Sequence, residues 1–393
     1  MTKIKQNDKK TVNKGSETQK EPMRILQFIG SLNVGGSQSM IMNIYRNIDR
    51  TKVQFDFIID RKDETFFKKE IESYGGRVYT FDECFRGFNY CQYKKQWKVF
   101  FMDHPEYHMI HCHVRSLASI VLREAKKNGL KTICHSHNIA NGGGIKSVVK
   151  KYLQSRIREY CDFYFACSEE AAKWLFGKEI YNSNKCIIVN NAIEIKNYLY
   201  NQSYRDEIRK RYNVSDETYL VGHVGRFVPQ KNHDFIFGLM KATRNKKDIK
   251  YMLCGDGNLK ADFQGIARSQ GLEDKVIFVP SNNEIYKYYN AFDYFIFPSL
   301  YEGLGMVLIE AQYSGLDCLV SPFIPKEAKI SDNYKVEELS IPKWKTEISL
   351  RKKNSERNKV RLLENAKKYD VKETARMFEQ FYTQHTDGPE EAK

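Results

Sequence analysis

The chain lacks any run of eighteen or more apolar residues among its 393, so no segment reads as a membrane-spanning helix. Its first stretch, MTKIKQNDKKTVNKGSETQKEP, has no apolar core. That excludes a secretory signal, and residues 1–21 are expected to form a flexible basic tail. No Cys-x-x-Cys pair occurs, and the nine cysteines are odd in number. Several sit in apolar runs such as TIC and YFAC, where a thiol packs as a small hydrophobe. A reducing, cytoplasmic setting is therefore expected, rather than a disulfide framework or a cysteine zinc site. Gly-x-Gly-x-x-Gly is also missing from the first turn, so the dinucleotide fingerprint does not apply there. No short repeat and no basic-aromatic recognition module is visible, which argues against nucleic acid as a partner.

What is present is a soluble, globular composition, 41% hydrophobic and 29% charged. The length suits two domains with real cores. Basic residues exceed acidic ones, giving a net charge of +15. Residues 1–200 carry most of it, with 33 Lys and Arg against 21 Asp and Glu. Such a half suits a polyanionic partner, an anionic membrane surface included, or simply keeps the protein soluble.

Short apolar runs alternate with stretches of helical length. RILQFIG (24–30), VQFDFIID (53–60), RVYTFD (77–82), MIHCHV (109–114), KTICHSHN (131–138), DFYFACS (162–168) and CIIVNNAI (186–193) form a first series. YLVGHVGR (219–226), YMLCGDG (251–257), VIFVPS (276–281), DYFIFPS (293–299) and LDCLVS (316–321) form a second. The alternation predicts two α/β domains with parallel sheets covered by helices on both faces. The expected division is a first domain over 22–200, a second over 201–364, and a final helix with tail over 365–393. In that last segment Val371, Ala375, Phe378 and Tyr382 line one helical face.

Ligands of open α/β sheets bind at the strand-to-helix turns. The first turn, GSLNVGGSQS, offers Gly35 and Gly36 ahead of a helix, where backbone amides suit an anion. GRFVPQKN sets Arg226 and Lys231 beside Gly225, a forked and a mobile cation fit for a diphosphate. CGDG brings Gly255 and Gly257 to a third strand end, and VPSNNEI offers backbone groups to a nucleobase. YEGLGMVLIEAQYSG then carries Glu302, Gly303, Leu304, Gly305 and Glu310. His111 and His113 point to one sheet face, as do His135 and His137. They read as core or cleft histidines rather than metal ligands, since no carboxylate joins them. His137, at a strand end, is the cleft candidate.

Taken in order, these motifs resemble the family 4 retaining glycosyltransferases. Glu302-x7-Glu310 is similar to the family's E-x7-E signature, GRFVPQKN to its diphosphate motif, and GSLNVGG to its first turn. IPKEAKISD, WLFG and HSHN further resemble the branch that builds capsular and exopolysaccharides in bacteria. The resemblance spans residues 23 to about 382. It implies a GT-B fold, with two Rossmann-like domains facing a central cleft and a last helix crossing back to the first domain.

As the resemblance has it, Arg226 and Lys231 bind and neutralise the departing diphosphate, and Glu310 accepts from ribose hydroxyls. Glu302 orients the donor sugar, and His137 faces that sugar from the opposite domain. Gly35 and Gly36 lie near phosphates or acceptor. Gly225, Gly255, Gly257, Gly303, Leu304 and Gly305 complete the substrate-binding set. The implied donor is a nucleotide-diphosphate sugar of the UDP class. The implied acceptor is a glycan, or a glycan on a polyprenyl diphosphate. No cofactor and no metal are implied. Two positions depart from the pattern: Ser37-Gln38 replaces Ala-Glu, and Asp317 stands where proline is usual.

KSVVKKYLQSRIREY (146–160) has an apolar stripe among basic residues. It reads as a core-facing helix with a basic outer face, or as a peripheral contact with anionic lipid on the inner face of the cytoplasmic membrane. Two other functions share the layout and charge: a nucleotide-sugar 2-epimerase, and a non-enzymatic basic scaffold.

Overall fold

The computed structural model describes residues 21–33, 36–61, 65–82, 89–115, 117–137, 152–350 and 357–385. Residues 1–20 of the basic tail, Gly35 and the whole 138–151 stretch, Asn138 included, thus lie outside the described residues.

A seven-stranded sheet comes first. Its strands are β1 (Met23–Gly30), β2 (Val53–Ile59), β3 (Val78–Thr80), β4 (Met109–Cys112), β5 (Lys131–Ser136), β6 (Phe163–Ala166) and β7 (Cys186–Ile188). They lie in the order β3-β2-β1-β4-β5-β6-β7. The second sheet holds β8 (Tyr219–Val224), β9 (Ile249–Cys254), β10 (Val276–Val279), β11 (Tyr294–Phe297), β12 (Cys318–Val320) and β13 (Tyr334–Val336). Its order is β10-β9-β8-β11-β12-β13, and every recorded strand pairing in both sheets is parallel.

Each expected apolar run holds one strand. β2, β8 and β11 are buried along their whole length, as strands covered on both faces must be. β13 escaped the sequence reading. It is a half-exposed edge of three residues, Tyr-Lys-Val, too short and too polar to make an apolar run.

Both sheets reverse their winding between the first strand and the fourth. The reversal leaves a crevice beyond the carboxyl ends of β1 and β4, and another beyond β8 and β11. In doubly wound sheets this switch point is where ligands bind, because the flanking turns diverge to opposite faces.

The chain passes between the sheets twice, at one place. Val189 and Ala192 pack in the first core, whereas Ile193 packs in the second, with Ile195 and Tyr198 against it. The crossing therefore precedes the expected boundary at 200. On the way back Ala366 and Tyr369 still belong to the second core, and Val371 to the first. The two crossings are tied by Ile193 N donating to Tyr369 O (2.9 Å) and Val371 N to Ile193 O (3.0 Å).

The final helix, Val371–His385, then packs on the first sheet. It buries Val371, Thr374, Ala375, Phe378, Phe381 and Tyr382 in the cluster that holds Ile25, Phe55 and Phe57. Lys52 Nζ pairs with Glu379 at its rim, 2.8 Å away. Among the described residues no helix is long and apolar enough to cross a membrane, and eight cysteines are free thiols.

Candidate active site

Four turns of the second sheet meet around one cavity of about 400 Å³ at the β8/β11 switch point. Gly225, Arg226, Gln230 and Lys231 line it from the β8 turn, Gly255 from the β9 turn, Ser281 and Asn282 from the β10 turn, and Glu302 from the β11 turn. The turns are stitched to one another by backbone and side-chain hydrogen bonds. Leu300 N donates to Gln230 O (2.9 Å), Gln230 Nε2 to Tyr301 O (2.9 Å) and Asn232 Nδ2 to Pro298 O (3.2 Å). Asp256 accepts from Ser281 N (2.7 Å) and pairs with Lys260 (2.7 Å), joining the β9 and β10 turns.

Glycine is required at two of these positions. A Cβ on Gly255 would stand 2.1 Å from the Gly225 carbonyl oxygen, so the β8 and β9 turns touch only because Gly255 has no side chain. Gly305 precedes the helix Met306–Tyr313 with φ +82°, a left-handed conformation that favours glycine. Gly257 does not line the cavity. Its missing side chain answers instead to Phe227, whose backbone nitrogen a Cβ would meet at 2.6 Å. Gly303, Leu304 and Gly305 form the turn beside the cavity and are not among its lining residues.

The electrostatics centre on a pair that the spacing of the sequence did not suggest. Lys231 Nζ lies 2.6 Å from Glu302 Oε1, with side chains 14% and 7% exposed. The ammonium also sits 4.8 Å above the Phe297 ring. Two residues assigned separate ligand contacts are thus partners of each other across the switch point. Arg226 is exposed, and no carboxylate partner is recorded for its guanidinium among the described residues. Among the described residues the cavity wall so carries Arg226 without a recorded carboxylate partner and the neutralised Lys231–Glu302 pair.

Glu310 stands apart from the cavity lining. It retains some exposure as a residue, yet its carboxylate is enclosed and receives the Tyr289 hydroxyl (2.7 Å). Loss of solvent pushes its pKa up, and hydrogen bonds from Tyr289 and Tyr198 oppose the rise. Sequence reading missed both tyrosines. Tyr198 comes from the crossing segment, far from Glu310 in the chain.

A second cavity, of about 340 Å³, occupies the matching β1/β4 switch point. Gly30, Ser31, Ser37, Gln38, Asp60, Arg61, His113, Arg115 and His137 are among its walls. Gly36 opens the helix Gly36–Asn47 beside it. Gln38 Nε2 donates to Ser31 Oγ (3.0 Å), and Ser37 Oγ to Gln38 Oε1 (3.1 Å), so the amide bridges two hydroxyls where a carboxylate would only accept. Arg115 was not foreseen. The strand-end rule applied to HCHVR would have found it.

Under this cavity the rings of His111, His113, His135 and His137 form one stack, with neighbouring centroids 4.1–5.5 Å apart. Nitrogens of His111, His113 and His135 lie within 4.8 Å of one another. Near-parallel rings do not aim their lone pairs at a common point, and both His113 nitrogens already have partners. Hydrogen bonds tie His113, His137 and His111 Nδ1, whereas His111 Nε2 and both His135 nitrogens are buried with no recorded partner among the described residues. Nothing in the structure explains Asp317.

Residues 34–197 match the model of Glycosyltransferase Family 4, and residues 204–369 match that of Glycosyl transferases group 1. The glycosyltransferase EpsF of Bacillus subtilis (strain 168) is 30% identical over 77% of this chain and 80% of its own length. The chain belongs to the family 4 glycosyltransferases. The capsular polysaccharide biosynthesis glycosyltransferase CapH of Staphylococcus aureus is 21% identical over 93% of this glycosyltransferase and 99% of its own length. The structure of Anabaena HepE in complex with UDP and glucose superimposes with a TM-score of 0.68, at 17% identity, over 92% of this chain and all of that one. The two-sheet architecture is therefore the GT-B fold. Family membership decides for glycosyl transfer over the epimerase and scaffold readings.

Proposed function

We propose that this glycosyltransferase moves a sugar from a UDP-sugar to a growing, lipid-linked glycan of a capsular or exopolysaccharide, with retention of anomeric configuration and without a divalent metal. The Arg226–Lys231–Glu302 constellation at the β8/β11 switch point carries the reading. Departure of a nucleoside diphosphate concentrates negative charge at the bond that breaks, and fixed cations there lower the barrier. Arg226 meets the diphosphate directly. Lys231 exchanges Glu302 for phosphate oxygens, and the freed carboxylate takes hydroxyls of the donor sugar. Amides at the start of the helix Met306–Tyr313 add partial positive charge. Glu310 accepts from the ribose, and Ser281 and Asn282 face the base.

The β1/β4 cavity, with His137, Arg115 and Arg61, receives the acceptor end. Holding donor and acceptor together supplies much of the remaining rate. HepE, crystallised with UDP and glucose, supports the donor class, and CapH supports the polysaccharide product. The basic first half supports a contact with anionic lipid. Of the suspected membrane helix, Ile157 is buried in the core, while Tyr152, Arg158 and Glu159 are exposed.

The test is a thermal-shift comparison of UDP, UMP and uridine, each with and without EDTA. UDP is expected to raise the melting temperature most, with no effect of EDTA. Equal shifts from uridine and UDP would remove the diphosphate assignment. Sugar release from a UDP-sugar panel, with and without EDTA, then tests donor and metal independence.

A further inference from the structure

Gln27 is a buried amide in the middle of the apolar strand β1, at 0% exposure. A buried amide needs partners, and those of Gln27 run in one direction. Its Oε1 lies 2.8 Å from His113 Nε2. An amide oxygen only accepts, so that nitrogen carries the proton. His113 is fully buried, and loss of solvent with neighbouring histidines holds its pKa well below the usual value. As a neutral ring protonated on Nε2, it has a bare Nδ1. His137 Nε2 stands 2.8 Å from that Nδ1 and must donate to it. The remaining His137 nitrogen, Nδ1, is then an acceptor on a ring that lines the β1/β4 cavity.

At the other end Gln27 Nε2 donates to the Tyr382 hydroxyl (3.4 Å), and that hydroxyl lies 2.7 Å from His111 Nδ1. Tyr382 belongs to the final helix, which the chain returns to the first sheet only after building the second.

We propose that Gln27 and Tyr382 are positioning residues of the transfer site. Through this buried relay they hold His137 neutral, protonated on Nε2 and bare on Nδ1, so that it accepts a hydrogen bond from a ligand hydroxyl. The role in transfer rests on the function proposed above; the tautomer does not. The final helix is thereby part of the site's machinery as well as of the core. Turning the Gln27 amide over would reverse every bond and make His137 Nδ1 a donor, so the amide's orientation decides which hydroxyl atom the site reads. Burial and the Arg115 guanidinium both oppose a charge on His137. The other groups facing it are His113 and His135 in the stack and Asp60 and Arg61 around the cavity.

Two measurements on the full chain test this. Nitrogen-15 NMR of histidine-labelled protein at pH 7 reads the tautomer directly, with the His137 signals assigned from H137N. An Nε2-protonated His137 is expected, and an Nδ1-protonated ring overturns the proposal whatever the enzyme's substrate. Kinetics with a UDP-sugar form the second arm. Q27L and Y382F are expected to lower kcat on the order of 10- to 100-fold, with little change in KM for the donor. Q27E puts a carboxylate under His113, which favours protonated imidazole. Its turnover is expected to fall steeply as pH drops from 8.5 to 6, while wild type stays flat. Wild-type kcat in both Q27L and Y382F, or a flat Q27E profile, overturns the positioning role. A wild-type protein that bound no nucleoside diphosphate would sink the proposed function and leave NMR to decide the relay.

Discussion

The Lys231–Glu302 pair offers the sharpest test of the site. At 2.6 Å and an effective dielectric of about 20, two unit charges attract by roughly 6 kcal/mol before solvation is counted. Taking both ions out of water offsets most of that, so the intact pair adds little net stability. Removing one partner is different, because the survivor keeps its desolvation cost and loses its counter-charge. Breaking a buried pair costs about 3–5 kcal/mol, and here the open cavity lets water reach the survivor. K231M and E302Q should each therefore cost about 3 kcal/mol, or roughly 6–12 °C in a unit of this size.

The double variant K231M/E302Q strands no charge. It should recover about 2 kcal/mol relative to the sum of the singles. It will not recover everything, since Lys231 also rests on the Phe297 ring at 4.8 Å, a contact of about 0.5–1 kcal/mol. Thermal unfolding of the four proteins measures the cycle. UDP binding gives it a functional arm: E302Q, with its lysine free, should bind UDP at least as well as wild type yet turn over UDP-sugar poorly, while K231M should lose affinity. Singles within about 0.5 kcal/mol of wild type, or a double equal to their sum, would refute the reasoning.

Three other outcomes follow from the same geometry. R226A should leave the melting temperature unchanged, because no partner is stranded, and cut turnover by about 100-fold or more; wild-type turnover would mean that Arg226 does not meet the leaving group. Burial pushes the Glu310 pKa above the ordinary carboxylate value, so its carboxylate takes up a proton sooner than an exposed one as pH falls. Uridine affinity should weaken in wild type as pH falls and Glu310 protonates, and stay level in E310Q, as calorimetry will show. Finally, the buried His111, His113 and His135 stay neutral far below the ordinary pKa, and His137 is pushed down to about 3. Folded values below the unfolded value of about 6.5 mean stability fully present above that pH and lost beneath it. By pH 5 each histidine withdraws on the order of 2 kcal/mol. Four together rival a domain's whole stability of about 5–15 kcal/mol. Circular dichroism should show stability falling below about pH 6.5 and cooperative unfolding by about pH 4, and a fold as stable at pH 4 as at pH 7 would contradict the buried stack.

The sequence alone determined the parallel sheets, because doubly covered strands must be continuous apolar runs with turns between them. It determined the ligand-bearing turns too, since strand order places them at carboxyl ends and their glycines and cations betray a phosphate. Gly225, Arg226, Lys231, Gly255 and Glu302 fell on one cavity for that reason. Spacing along a chain says nothing about which side chains meet across a crevice. Only the tertiary structure decided that Lys231 neutralises Glu302, that Tyr289 and the distant Tyr198 enclose Glu310, and that Gly257 serves packing under Phe227. The relay from His137 to Tyr382 is the extreme case. Gln27 and Tyr382 lie 355 residues apart, and they meet because the final helix must bury its apolar face and the first sheet offers the open surface. Local pattern fixes elements and turns; contacts between remote polar groups are set by packing, and packing belongs to the whole chain.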